Sequence, residues 1–338
     1  MHSYIKNKWT LVIILVIAPI IMIFFTLFLG RYTISPINVI RTLFQKGRNF
    51  ENLPRELHTI VYQLRLPRAI AGAFVGAALA VSGAAFQGVF RNPLVNSGIL
   101  GVSSGACFGA SLSIIFFGGG LSNYLFSFIF GVLAVLLSYL AGRIYGSTPM
   151  VTLVLGGVVV SSFFSAFTSL FKYIADPYSE LPALTFWTMG SLASIGYKQF
   201  IAFIPMFIGM GMIFISRWKI NALSMGEKEA TALGVDTKIY KLFIIGGATL
   251  ATSSAVCISG TIGWIGLIIP HIGRMLVGND NSKLIPISMS LGACFLILMD
   301  TASRVISSSE IPIGILTSIV GTPFFVYLLK RTKGGGWK

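Results

Sequence analysis

Residues 65–90 read RLPRAIAGAFVGAALAVSGAAFQGVF, two arginines followed by a run that is apolar or small from Ala69 to Phe90 except at Ser82 and Gln87. A helix of about 20 such residues spans the roughly 30 Å hydrocarbon core of a bilayer. Gly72 and Gly76 stand four apart, and Gly101, Gly105 and Gly109 repeat that spacing in the next apolar run. Stripes of this kind let helices approach backbone to backbone in lipid, where burial of apolar surface gives no drive. The segment therefore predicts one crossing of a tightly packed helical bundle.

Further apolar runs lie at about 11–29, 98–117, 121–141, 150–171, 199–216, 240–259, 262–277, 284–302 and 311–329. With 69–90 they predict an all-α, polytopic membrane protein of about ten transmembrane helices, forming a single domain over residues 1–338. A connection at 31–64 separates the first two spans, and 217–241 is the longest polar stretch between later ones.

The composition agrees. Of the 338 residues 55% are hydrophobic and 10% charged, against roughly 25% charged in soluble domains. Mean hydropathy is +0.84. The net charge of +15 does not imply nucleic acid, because the 25 Lys and Arg punctuate the gaps between apolar runs instead of forming one basic face. The first run follows Lys6 and Lys8 and is too long for a signal-peptide core, so it is expected to stay as the first span.

Loop cations are retained on the cytoplasmic side. Placing both termini there puts Lys6, Lys8, Arg91, Arg143, the 217–241 stretch, Lys283 and the basic tail in the cytoplasm. Seven cations in or beside the first connection, Arg31, Arg41, Lys46, Arg48, Arg55, Arg65 and Arg68, then fall outside, and their charge needs a reason of its own.

Ionisable groups within apolar runs are functional suspects. Asp300 and Arg304, four apart with the acid first, suit an intrahelical ion pair. His271, between Pro270 and Arg274, is expected near a helix end as a capping or interfacial residue. Gly101-Val102-Ser103-Ser104-Gly105 fits a nucleophile pattern, but no acidic partner is evident and the pattern is nonspecific in a chain this rich in Gly and Ser. Cys107, Cys257 and Cys294 share no short spacing and read as helix-packing residues. No catalytic residue and no metal ligand is expected.

The chain holds no G-x-x-x-x-G-K-[ST] phosphate cradle, and Gly-Lys never occurs. Were transport ATP-driven, the nucleotide would sit on another polypeptide, and a loop of this chain would receive the push. In 217–241, Leu223, Ala230 and Leu233 could form the buried face of a short helix bracketed by Gly226 and Gly234.

Four segments together resemble the FecCD-type permeases of ATP-binding-cassette importers for iron-siderophores, haem and cobalamin: 65–106 (RLPRAIAGAFVGAALAVSGAAFQGVFRNPLVNSGILGVSSGA), WTMGSL at 187–192, NALSMGEKEATALGV at 221–235 and SGTIGWIGLIIPHIGRMLVGND at 259–280. DTASR at 300–304 and EIPIGILTSIVGTPFFVYLL at 310–329 continue the resemblance. Val95-Asn96-Ser97 and Trp264 depart from the usual pattern. The resemblance implies a cobalamin-importer-like fold and a multi-pass protein of a bacterial or archaeal cell membrane with both termini cytoplasmic. It implies a second permease copy or paralogue, two cytoplasmic ATPase subunits that carry the ATP and Mg, and an extracytoplasmic substrate-binding protein. It makes Leu223, Gly226, Glu227, Ala230, Leu233 and Gly234 the ATPase-coupling residues, and Arg65, Arg68 and Arg304 the docking residues for the binding protein. Asn92, Pro93 and Leu94 become the cytoplasmic gate. Iron-siderophore is the expected cargo, with haem or cobalamin as alternatives. An ion-coupled secondary transporter is the competing class, and Asp300 is the one acid that comes close to serving it.

Overall fold

The computed structural model describes residues 8–30, 32–44, 55–143, 149–307 and 309–331, and among these there is no strand. Ten apolar helices match the ten runs: α1 (Lys8–Thr26), α4 (Leu66–Phe90), α5 (Val102–Phe117), α6 (Leu121–Gly142), α7 (Met150–Ile174), α9 (Phe203–Met225), α11 (Thr237–Ser259), α12 (Ile265–Val277), α13 (Asn281–Ile306) and α14 (Ile313–Arg331). Six helical stretches, those containing α4, α6, α7, α9, α11 and α13, are long and apolar enough to cross a membrane; the other four are shorter apolar helices.

Four short helices fall between them: α2 (Pro36–Phe44), α3 (Arg55–His58), α8 (Glu180–Met189) and α10 (Glu227–Ala232). The 31–64 connection is thus largely helical where described. Its apolar residues Ile34, Val39, Leu57 and Val61 bury against Leu27 at the end of α1. Lys46 and Arg48 lie outside the described residues, as do Arg31 and the termini. The 217–241 stretch is less of a loop than its polarity suggests, because α9 runs through to Met225 with Ile220, Ala222 and Leu223 buried.

α4 is the axis of the bundle. Its span is 89% buried, against 28% for α7 and 33% for α6, whose outer faces are left for lipid or a partner. Helices α1, α9, α11, α12 and α13 all pack against α4. The glycines explain how so many neighbours fit. A Cβ on Gly76 would lie 2.1 Å from the carbonyl oxygen of Gly292 on α13, and one on Gly292 would lie 2.4 Å from that of Gly76. A Cβ on Gly83 would lie 1.9 Å from the carbonyl oxygen of Gly266 on α12. Gly105 and Gly109 meet the Phe130 and Phe126 carbonyls of α6 in the same way. At these points the contact is backbone on backbone, which no side chain permits.

These contacts give a contrast between two substitutions. Gly83→Val should cost about 3 kcal/mol or more, because the obstacle is backbone and cannot turn aside. Gly211→Ala, with nothing within 4 Å, should be neutral. Thermal unfolding of the detergent-solubilised protein checks the pair; equal midpoints would contradict the close approach of α4 and α12.

Candidate functional site

Two clusters of polar residues lie at opposite ends of α4. At its N-terminal end a π-helical turn, Thr59–Arg65, leads directly into α4 with Pro67 in the first turn. Insertions of this kind are frequent at functional sites. The turn and the first residues of α4 place Arg65 and Arg68 beside the last turns of α13.

Arg68 Nε donates to Asp300 Oδ1 at 2.7 Å, and Arg68 Nη1 donates to both oxygens of Glu310 at 2.9 and 3.0 Å. Arg304 Nε lies 3.3 Å from Asp300 Oδ2, the pairing expected from the four-residue spacing, and Arg304 Nη2 donates to Thr26 Oγ1 on α1 at 2.8 Å. Arg65 spends its guanidinium on backbone, donating to the carbonyls of Leu27 at 2.7 Å and Tyr32 at 2.6 Å. With Gly30 and Tyr32, Arg65, Arg68, Arg304 and Glu310 line an open cavity of about 290 Å³.

Arg65, Arg68 and Arg304 are all buried, and Arg68 and Arg304 are compensated by carboxylates inside the chain. Three arginines against Asp300 and Glu310 leave a formal excess of one positive charge. Asp300 is the keystone, because it is buried and meets two arginines, while Glu310 is partly exposed at the rim. Glu310 had no role assigned from the sequence.

At the other end, α9 stops at Gly226, whose φ of 144° and crowding by the Glu229 carboxylate suit glycine alone. α10 follows, and its chain reverses at Gly234 with φ 75°. Ala230 is fully buried and anchors α10, and Leu223 is buried within α9. Leu233 corrects the sequence reading. It is 52% exposed, because the chain turns at the end of α10 and Val235 takes the buried place instead. Glu227 in the first turn of α10 pairs with Lys241 on α11.

Asn221 on α9 joins this end to the α12–α13 turn. Its Nδ2 donates to Asp280 Oδ1 at 2.7 Å, and its Oδ1 accepts from the Asn281 N–H at 2.7 Å. Burial alone would push the Asp280 carboxyl up, but hydrogen bonds from Asn221 and Ser282 hold it below the usual carboxylate range. Nearby, Asn92, Pro93 and Leu94 form a turn in which Asn92 Oδ1 accepts from the Leu94 N–H at 2.9 Å, and Asn92 and Leu94 are exposed. The turn opens at Arg91, whose guanidinium lies against Gly226.

His271 is not at a helix end. It is buried within α12, with Nδ1 2.9 Å from the Leu267 carbonyl oxygen and its ring edge-on to Phe325. Among the described residues no group of three or more His, Cys, Asp or Glu is placed to hold a metal ion.

Residues 15–331 match the family model of the FecCD transport family. The chain belongs to that family. Over 336 residues it is 40% identical to the molybdate import system permease protein MolB of Haemophilus influenzae, covering 99% of this chain and 98% of the relative. It is 40% identical over 285 residues to the iron(3+)-hydroxamate import system permease protein FhuB of Bacillus subtilis, covering 82% and 73%. Its fold matches an inward-facing structure of a metal-chelate type ABC transporter with TM-score 0.84 at 36% identity, covering 96% of this chain and all of that one. It is thus a membrane permease subunit of an ATP-binding-cassette importer, a kind of subunit that works with separate ATPase subunits and a substrate-binding protein.

The ionic cluster gives a second prediction. Asp300→Asn leaves Arg68 and Arg304 without their shared carboxylate and should cost about 3 kcal/mol or more, because a buried charge loses its partner. Glu310→Gln, at the rim, should cost about 1 kcal/mol or less. Thermal unfolding at neutral pH measures both; an Asp300→Asn protein as stable as the parent would remove Asp300 from its central position.

Proposed function

We propose that this permease moves an iron-siderophore complex into the cytoplasm, with both of its termini on the cytoplasmic side. The observation that carries the cargo reading is the fold match to a metal-chelate type transporter along nearly the whole chain, supported by the iron-hydroxamate relative. A wrapped chelate brings its own ligands to the metal, so the pathway needs to slide a large body and not to coordinate iron. A second reading, molybdate, is favoured by the relative matched over 99% of the chain.

In this reading the segment from Gly226 to Gly234, with α10 at its centre, is the element that docks on the ATPase. Glu227, the exposed Leu233 and the two glycines provide its contact surface and its stops, while Ala230 and Leu223 fix it to the bundle. The Asn92–Leu94 turn is the cytoplasmic gate. Arg65, Arg68 and Arg304 attract carboxylates of the binding protein through the cluster's excess of one positive charge. Attraction of this kind speeds encounter and fades with salt.

The complex, assembled with its ATPase and binding protein and reconstituted in liposomes, tests the function. ATP-driven uptake of a ferric hydroxamate should exceed that of molybdate or cobalamin by at least about tenfold, a preference worth about 1.4 kcal/mol. Gly226→Val should abolish uptake while ATP hydrolysis persists. Molybdate uptake without ferric hydroxamate uptake would replace the cargo, and undiminished uptake by the Gly226→Val complex would remove α10 from the coupling.

A further inference from the structure

Among the described residues two that are not glycine have left-handed backbone: Arg91 with φ 52° and Trp264 with φ 70°. Arg91 closes α4 and opens the Asn92–Leu94 turn, and Trp264 stands immediately before α12. Side chains disfavour such conformations, which persist where surrounding contacts hold them and which gather at moving parts.

One buried side chain reaches both of these junctions. Gln87, on the last full turn of α4 and 4% exposed, donates from Nε2 to the Val95 carbonyl at 3.0 Å and to the Gly266 carbonyl at 3.2 Å. Its Oε1 accepts from Arg274 Nη2 on α12. The orientation of the amide is forced, since a guanidinium can only donate and the two carbonyls can only accept. Both donors and the acceptor are therefore committed, on three different segments. Within the turn, the remaining bonds are local: Val95 N–H to the Asn92 carbonyl, Leu94 N–H to Asn92 Oδ1 and Gly98 N–H to Asn96 Oδ1.

The same residues lie on two routes from α10. Arg91 sits against Gly226. Asn221, four residues before the end of α9, is bonded to Asp280 at the end of the segment that follows α12. A displacement of α10 would reach the turn directly through Arg91 and indirectly through α12, which bears both Gly266 and Arg274.

We infer that Gln87 is the positioning residue of the gate: its amide latches the turn at Val95 to α12, and a shift of α12 against α4 releases the turn. This rests on the gate reading of Asn92–Leu94 and adds to it the part that holds the turn in place. Gln87 does not touch cargo. Its effect passes through the Val95 carbonyl, and the two strained junctions give the turn somewhere to relax when the latch opens.

Two variants of the assembled complex in lipid nanodiscs test this. Gln87→Met keeps the size and loses all three bonds, whereas Gln87→Glu keeps the bond to Arg274 and loses both donors. Hydrogen exchange at the amides of residue 92 and residues 94–98 should quicken about tenfold in both, with α10 unchanged. Cargo moved per ATP hydrolysed should fall about fivefold in liposomes as the gate leaks. If Gln87→Met does not assemble, Gln87→Glu, with its carboxylate paired to Arg274, carries the test. Exchange at parental rates in either variant overturns the latch, and so does faster exchange with an unchanged ratio of cargo to ATP. The gate reading is judged separately: a disulfide between Leu94→Cys residues of two copies should block uptake, and if it does while the Gln87 variants behave as the parent, the gate stands and the latch alone falls.

Discussion

In lipid, helices gain nothing by hiding apolar surface from water, so this bundle depends on how closely α4 approaches α12 and α13. The Gly76–Gly292 and Gly83–Gly266 contacts set that distance at the van der Waals limit of two backbones. Everything of functional interest is referred to the same helix. Its N-terminal end carries Arg68 to Asp300, and its C-terminal end carries Gln87 to Val95 and Arg274. A looser α4 would separate partners that meet within hydrogen-bonding distance at both ends.

The two ends solve the cost of polar groups in a membrane protein differently. Around Asp300 the solution is ionic, with carboxylates and guanidiniums buried together and the chain's own backbone satisfying Arg65. Around Gln87 it is a neutral amide that joins two carbonyls to a half-buried arginine. An ionic cluster with an exposed rim suits contact with a charged partner, while a fully used amide suits a joint that must either hold or let go.

Much of this was legible in the sequence. The ten apolar runs appear as ten helices, six of them in stretches long and apolar enough to cross a membrane. Of the glycine stripes, Gly76, Gly105 and Gly109 do meet a neighbouring backbone, whereas Gly72 makes ordinary contacts and Gly101 precedes α5; Asp300 with Arg304 announced an ion pair. What the sequence hid was long-range pairing. Nothing local to Arg68 reveals that Glu310, 242 residues away, meets it. Leu233 fitted a helical face by spacing, but α10 ends at Ala232 and the chain reverses at Gly234, which leaves Leu233 outside and Val235 within. His271 looked terminal because Pro270 precedes it, although a proline within α12 does not end that helix. Gln87 did leave a signal. It is one of two polar residues in the run from Ala69 to Phe90, and a buried amide in an apolar helix requires partners.

The account as a whole requires the α10 end and the Arg68–Asp300 end to face opposite sides of the membrane, with α10 in the cytoplasm. Labelling of intact cells with a membrane-impermeant maleimide decides this most directly, using single cysteines at Lys228 on α10 and at Tyr178, 94% exposed in the turn before α8. The account predicts that Tyr178→Cys is labelled from outside and that Lys228→Cys is labelled only after the cells are permeabilised. Labelling of Lys228→Cys in intact cells, with Tyr178→Cys protected, would invert the protein and contradict the coupling, docking and gate assignments together.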